Sequence, residues 1–261
     1  MVPMLKKTIL TSLMFTVLLQ SQLLAEAPFW PGWLGPQRDG FVKDFRPPKH
    51  WPEKLEKAWQ VDVGTGYGTP VVQGDYVFIH TRQDEQEVLQ CLQLETGKSK
   101  WKQVFDVPFK IGGGGEYHGK GPKSNPMLAE GRLFTMSISG VLAAWDAETG
   151  KQLWVRDYTQ QFEKGHPYWG ASTSPIVSGD RIIVHFGNDE IGALVAMDTS
   201  NGREIWRSGK DGTSYSSPLL ANFGGIHQVV QWNHEALVGV EVKSGRELWR
   251  YPLPHLTHNQ N

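Results

Sequence analysis

Cysteine is almost absent from this chain of 261 residues, in which Cys91 stands alone. A single cysteine cannot form an internal disulfide, so the fold depends on its core and its hydrogen bonds. No cysteine follows the N-terminal apolar segment, where a lipid would be attached. We therefore expect that the protein is not a lipoprotein.

An excess of charge of either sign is also missing, since 26 basic residues are balanced by 27 acidic ones and the net charge is −1. Nucleic acids and anionic membranes attract proteins with basic surfaces. The composition therefore predicts no nucleic-acid partner.

Long apolar runs are lacking except near the N-terminus. Lys6 and Lys7 precede an interrupted apolar stretch over 9–24, and Ala25-Glu26-Ala27 resembles a small-residue cleavage site. A stable membrane span needs about 20 apolar residues in a row. We expect residues 1–27 to be a cleaved signal peptide, which predicts a periplasmic or secreted protein with no integral span after cleavage.

Glycine, proline and tryptophan are abundant, with 29, 16 and 11 residues respectively. Many glycines and prolines indicate many turns, and many indole rings indicate large planar surfaces buried between sheets. No segment sustains the 3.6-residue apolar period of a helix. The composition favours short strands joined by tight turns.

Two motifs recur four times in the same order. One is a turn followed by tryptophan, and its four copies are Thr96–Trp101, Thr149–Trp154, Asn201–Trp206 and Ser244–Trp249. The other is a proline that opens an apolar run, and its copies begin at Thr69-Pro70, Asn125-Pro126, Ser174-Pro175 and Ser217-Pro218. Each unit contains four β-rich runs, and four-stranded units of about 40 to 50 residues are typical of propeller blades.

The sequence thus predicts an all-β fold, a β-propeller of four-stranded blades. The predicted parts are an N-terminal extension at 28–56 and repeats over 57–261, at about 57–101, 102–154, 155–206 and 207–251. Hydroxyl side chains before the repeat prolines are expected to satisfy backbone groups, because no G-x-S-x-G elbow supports a nucleophile.

Aligned on tryptophan, the repeats share a small residue, an acidic residue, Thr-Gly and Trp, as in Ala144, Asp146, Thr149, Gly150 and Trp154. This resembles the tryptophan-docking motif of PQQ-like β-propellers, a group that includes quinoprotein dehydrogenases and the outer-membrane assembly factor BamB. The resemblance implies that the tryptophan of one blade lies flat against the motif of the next blade and ties the neighbouring sheets together. The docking residues would be Trp101, Trp154, Trp206 and Trp249 with Gly97, Gly150, Gly202 and Gly245.

The ends of the repeat region raise a question about closure. Trp59 lies in a segment that we expect to be an additional N-terminal strand. Members of the family typically have about eight blades and only four are visible here, so we expect an open or truncated ring. Such a ring would leave exposed sheet edges.

Two long loops between repeats hold the candidate binding residues. They span 102–125 and 155–174 and contain His118, Lys120, His166, Tyr168 and Trp169. Loops on a rigid scaffold often carry function, and we expect these side chains to line the mouth of the channel with Tyr67 and Tyr215. Solvated insertions are the alternative. No spacing supports a metal site.

The resemblance leaves two classes of function. One is an exported, non-catalytic scaffold, BamB-like, that binds a protein partner or a polymeric or small ligand at the channel mouth, without catalytic residues or a cofactor. The alternative is an oxidoreductase that uses pyrroloquinoline quinone (PQQ) with calcium, of the alcohol or polyvinyl-alcohol dehydrogenase type. Characterised alcohol dehydrogenases of that type carry adjacent cysteines over the cofactor, which Cys91 alone cannot supply. Carbohydrate binding by channel-mouth aromatics lies between the two.

Overall fold

A computed structural model describes residues 27–43, 45–110, 118–159, 161–162 and 166–254. These residues contain strands, turns and a single 3-10 position, and their strands form four antiparallel sheets in chain order. The predicted all-β fold is confirmed. The predicted signal peptide lies outside the described residues except for Ala27, and no described helix has the length and apolar character to cross a membrane.

Each sheet is built from strands consecutive in the chain. Sheet 1 contains β1 (Phe29–Trp30), β2 (Val71–Gln73), β3 (Tyr76–Gln83), β4 (Gln86–Gln93) and β5 (Ser99–Asp106). Sheet 2 contains β6 (Met127–Ala129), β7 (Arg132–Met136), β8 (Val141–Asp146) and β9 (Gln152–Asp157). Sheet 3 contains β10 (Ile176–Ser178), β11 (Arg181–Gly187), β12 (Gly192–Asp198) and β13 (Glu204–Ser208). Sheet 4 contains β14 (Leu219–Phe223), β15 (Ile226–Trp232), β16 (Ala236–Glu241) and β17 (Glu247–Pro252).

The sheets are arranged around an axis. Contacts between sheets join β2 with β6, β6 with β10 and β10 with β14, so the proline-led strands are the inner strands. Sheet 4 does not return to sheet 1 within the described residues, and the ring is not closed. Buried apolar clusters fill the spaces between neighbouring sheets, for example Phe134 and Trp154 of sheet 2 with Val184 and Val195 of sheet 3.

The small residue of each repeat pairs with the tryptophan of the same sheet. The four pairs across the third and fourth strands are Cys91 with Trp101, Ala144 with Trp154, Ala196 with Trp206 and Gly239 with Trp249. A register shift follows each small residue, as expected beside a bulged hairpin turn. A bulky residue would compete with the indole for this space, and Cys91 accordingly acts as a small buried side chain.

Successive sheets are connected by the indole rings. Trp101 Nε1 donates to the carbonyl oxygen of Ala147 at 3.1 Å, Trp154 Nε1 to that of Thr199 at 3.0 Å, and Trp206 Nε1 to that of Val242 at 2.9 Å. A Cβ atom on Gly150, Gly202 or Gly245 would lie 2.7 Å from the ring of the preceding sheet's tryptophan. Each ring therefore rests on a turn of the next sheet.

The two ends of this series differ from the prediction. The segment around Trp59, expected to be a strand, forms none and pairs with no strand of the described residues. Its indole nevertheless lies on Gly97 and donates to the carbonyl oxygen of Leu94 at 2.8 Å. Trp249 donates to Gln228 Oε1 of its own sheet at 2.6 Å.

An N-terminal strap, residues 28–40, crosses the inner strands. Its strand β1 pairs with β2 of sheet 1, and the carbonyl oxygen of Pro31 accepts a hydrogen bond from Leu128 N of sheet 2 at 2.7 Å. The Arg38 guanidinium donates to the carbonyl oxygens of Ser174 (3.4 Å), Pro175 (2.8 Å) and Pro218, which immediately precede the first strands of sheets 3 and 4. The strap thus contacts all four sheets.

Candidate binding site in the inner cavity

A cavity of about 610 Å³ lies where the inner strands begin; it is called the inner cavity below. Its lining includes the residue before each repeat proline, namely Thr69, Asn125, Ser174 and Ser217. Four aromatic side chains also line it: Trp33 of the strap, Tyr67, Tyr215 and Trp232. Its size falls within the range of small-ligand pockets in proteins, about 300–1,000 Å³.

The residues before the prolines form a belt of hydrogen bonds between sheets. Ser174 Oγ accepts from Asn125 N at 3.0 Å, and Ser217 Oγ accepts from Ser174 N at 2.9 Å. The sequence-based expectation that these hydroxyls satisfy backbone groups is confirmed. Asn125 occupies the equivalent position in sheet 2, and its buried Nδ2 has no hydrogen-bond partner among the described residues.

Five of the seven predicted binding residues lie together beside the inner cavity. The Tyr67 hydroxyl donates to the carbonyl oxygen of His118, and the His118 ring meets the Trp169 ring edge-on at 5.1 Å. Tyr168 packs against Trp169 with ring centres 4.9 Å apart, and Trp169 N donates to the Tyr215 hydroxyl at 3.2 Å. Burial raises the pKa of Tyr215, so this hydroxyl stays protonated.

The other two predicted residues lie elsewhere. Lys120 pairs with the exposed Glu85, with Nζ–Oε1 at 3.1 Å. His166 packs against Phe109 with ring centres 4.8 Å apart and lines a second cavity, between sheets 1 and 2. That cavity has about the same volume, 600 Å³, and also contains Phe105 and Trp145. The loop prediction grouped these residues because chain spacing does not show to which side a loop folds.

Lys123 is the cationic residue of the inner cavity, and sequence analysis did not select it. Its Nζ donates to the carbonyl oxygen of Trp169 at 2.7 Å and lies 5.6 Å from the centre of the Tyr67 ring. Burial lowers its pKa, and no described carboxylate lies within ion-pair distance. A lone lysine in a long loop carries no sequence signal that would have distinguished it.

The strap contributes a wall that sequence analysis also missed. Trp33 lines the inner cavity, and the Arg38 guanidinium lies 5.5 Å from its ring centre. Burial lowers the pKa of Arg38 to about 10, and its guanidinium donates to three carbonyl oxygens rather than to a carboxylate. Gly35, at a φ of +80°, allows the strap to turn over the Trp30 ring. The strap occurs once, so no repeat revealed it.

The side chains of the inner cavity differ from those that a site for PQQ and calcium would need. Calcium prefers carboxylate and other oxygen ligands, but the lining of the inner cavity contains no Asp or Glu among the described residues. No described group of three or more His, Cys, Asp or Glu side chains could hold a metal. Cys91 lies buried in β4, away from the cavity lining. The described cavity residues therefore do not fit a calcium–PQQ site.

The family to which the sequence is similar agrees with the repeats and with the four sheets. A family model described as "outer membrane protein assembly factor BamB", built on PQQ-like repeats, matches residues 110–261. The chain belongs to this family. The match includes sheets 2, 3 and 4 and every described part of the inner cavity after residue 110.

Individual relatives fall into two kinds. A quinone-dependent alcohol dehydrogenase subunit of Gluconobacter oxydans is 26% identical over 59% of this chain, and BamB of Moranella endobia is 27% identical over 53%. These alignments cover 21% and 35% of the two relatives. The chain thus spans about a fifth to a third of their length.

A solved structure shows the same fold. BamB from Moraxella catarrhalis superposes on 76% of this chain with a TM-score of 0.53 and 18% sequence identity, over 53% of that chain. The likeness supports the propeller architecture, and the predicted blade fold is confirmed.

Proposed function

We propose that this protein is an exported, non-catalytic binding protein that holds a ligand or a segment of a partner in its inner cavity. The observation that carries the proposal is the cavity lining, where four aromatic rings and a lysine surround serine hydroxyls that accept hydrogen bonds from the backbone. Aromatic walls with a few placed polar groups are typical of binding sites.

The predicted signal peptide and the BamB relatives support a place in the cell envelope. A role in outer-membrane protein assembly is what the name of those relatives states, and for this chain it is a proposal. Channel-mouth residues Tyr67, Tyr168, Trp169 and Tyr215 would contact the partner segment. The net charge of −1 gives no electrostatic reason to expect a nucleic-acid partner.

The alternative is a PQQ-dependent oxidoreductase, favoured by the dehydrogenase relatives. A general base and calcium ligands would have to come from carboxylates near the cofactor. The described lining offers hydroxyl, amide, aromatic and lysine side chains instead. The binding role therefore has the stronger support.

One experiment separates the two functions. Purified protein is titrated with PQQ and Ca²⁺ by calorimetry, and oxidation of short alcohols is then followed with an artificial electron acceptor. We expect neither saturable PQQ binding nor turnover. Saturable binding together with alcohol-dependent dye reduction would overturn the non-catalytic proposal.

A further inference from the structure

Three polar side chains of the inner cavity have donor hydrogens left for a ligand, namely Asn125, Ser174 and Ser217. Asn125 is 5% exposed, and its Nδ2 has no partner among the described residues. A buried donor without an acceptor is energetically unfavourable, so a ligand that supplies an acceptor here would be stabilised by this contact. Ser174 and Ser217 use Oγ as an acceptor, which leaves their hydroxyl protons for a further partner.

Positive charge in and behind the cavity is not matched by negative charge. Lys123 lines the cavity, and Arg38 lies behind Trp33 with a hydrogen bond to the lining residue Ser174. Neither cation forms an ion pair with a described carboxylate, and burial lowers the pKa of both. Partly buried charges are weakly screened by solvent. The cavity is therefore electrostatically suited to an anion.

The walls indicate the shape of that anion. Trp33, Tyr67, Tyr215 and Trp232 line the same space of about 610 Å³. Aromatic rings pack well against flat faces that are apolar in the middle and polar at the rim. A pyranose ring has such faces, and its oxygens supply acceptors in several directions at once.

We propose that the inner cavity binds an acidic carbohydrate, a sugar whose carboxylate pairs with Lys123 and whose ring packs between Trp33 and the tyrosines. This assignment rests on the proposed binding function and gives its ligand a chemical class. Asn125 Nδ2 and the Ser174 and Ser217 hydroxyls donate to ring and hydroxyl oxygens of the sugar.

The test is calorimetric titration of the protein with trigalacturonic acid and with the neutral galactose trimer, at low and high salt. We expect saturable binding of the acid that is at least about tenfold tighter than binding of the neutral trimer and that weakens with salt. Equal affinity for the two trimers, or no binding of either, would overturn the assignment.

Variants locate the interaction. Lys123→Met removes the charge and is expected to reduce affinity for the acid to that of the neutral trimer, whereas Lys123→Arg retains the preference. Trp33→Ala is expected to lower the affinity for both sugars. Lys151→Met, on an exposed turn distant from the cavity lining, is the matched control and leaves both affinities unchanged. Unchanged acid binding by Lys123→Met, with the protein folded by circular dichroism, would overturn the role of the lysine.

Failure here is distinct from failure of the proposed function. If an acidic peptide such as hexaglutamate binds and both sugars do not, the acidic-sugar assignment is wrong and the binding function stands. If PQQ with Ca²⁺ binds with turnover, the non-catalytic function itself is wrong.

Discussion

At the scale of single residues, stability depends on rings that contact a neighbouring sheet. Trp154 is 7% exposed, packs near Phe134 and Arg156, and donates to Thr199 of sheet 3. Arg156 adds hydrogen bonds from Nε to the carbonyl oxygen of Gly202 at 2.7 Å and from a terminal nitrogen to that of Asn201 at 2.8 Å. One side chain and its neighbour thus hold the turn of the next sheet.

Replacement of this ring is the first prediction. Trp154→Ala removes the buried indole and is expected to lower the free energy of unfolding by about 3–5 kcal/mol. Trp249→Ala is the matched control, because that half-buried ring bonds to Gln228 of its own sheet and is expected to cost clearly less. Chemical denaturation measures both. Equal losses would show that contact between sheets is not what makes Trp154 important.

The glycine beneath a ring can be tested in the same way. Gly150 has a φ of +73°, and a Cβ atom there would lie 2.7 Å from the Trp101 ring. Gly179 has a φ of +56° with open space around it, so an added methyl group there meets only the backbone cost of about 1–2 kcal/mol. We expect Gly150→Ala to cost about 1–3 kcal/mol more than Gly179→Ala, measured by urea unfolding. A smaller loss for Gly150→Ala would contradict close packing of the ring.

A buried histidine predicts a pH dependence. Burial lowers the pKa of His185 to about 4, and its Nε2 donates to the carbonyl oxygen of Asp211 at 3.2 Å. The unfolded chain takes up a proton near pH 6.5, before the folded protein does. The stability that depends on neutral His185 is therefore fully present above about pH 6.5. As the pH falls from 6.5 toward 4, protonation of the unfolded chain lowers the free energy of unfolding by about 3 kcal/mol in all.

The variant His185→Gln isolates this effect. Its unfolding free energy, measured between pH 7 and pH 4, is expected to fall less steeply than that of the wild type. The difference between the two proteins cancels the contributions of other titrating groups. Parallel pH curves would mean that His185 takes up its proton equally in both states.

At the scale of elements, the repeats could be predicted from the sequence and the strap could not. The turn, the tryptophan and the proline recur in each sheet, so all four copies supported the same prediction of a four-stranded blade. The strap occurs once, and its contacts run to main-chain atoms such as Leu128 N and the Pro175 carbonyl oxygen, which any sequence carries. The same limit applies to the cavity: Tyr67 and Tyr215 were predicted beside it, whereas Trp33 and Lys123 were not.

The hydrogen bonds of Arg38 can be tested for their role in holding the strap. Arg38→Met removes the hydrogen bonds to three carbonyl oxygens just before the first strands of sheets 3 and 4 while retaining side-chain length. Hydrogen bonds from a charged donor contribute about 1.5–3 kcal/mol, so we expect faster amide hydrogen exchange at 28–40 and a lower melting temperature. Lys43→Met, in an exposed segment beyond the strap, should change neither. Unchanged exchange in Arg38→Met would show that pairing of β1 alone holds the strap.

At the scale of the whole molecule, the docking contacts form a series with one direction. Trp59 lies on sheet 1, Trp101 on sheet 2, Trp154 on sheet 3 and Trp206 on sheet 4. Each sheet therefore depends mainly on its neighbours, as in linear repeat proteins. The sequence motif predicted which residues form the series. It could not predict that the Trp59 indole docks without its backbone joining a strand, because docking and strand pairing use different atoms.

This arrangement predicts that damage at one contact remains local. Trp206→Ala removes a ring that is 8% exposed and its hydrogen bond to Val242, which leaves sheet 4 attached through the rest of the apolar cluster with sheet 3, the inner-strand contacts and Arg38. Hydrogen exchange followed by mass spectrometry should show protection lost first in β14–β17 and retained in sheets 1 and 2. Trp101→Ala, the comparison variant, should instead expose the boundary between sheets 1 and 2. Uniform loss of protection in both variants would mean that the four sheets unfold as one cooperative unit, because the strap and the belt of hydrogen bonds couple them more strongly than the indole rings do.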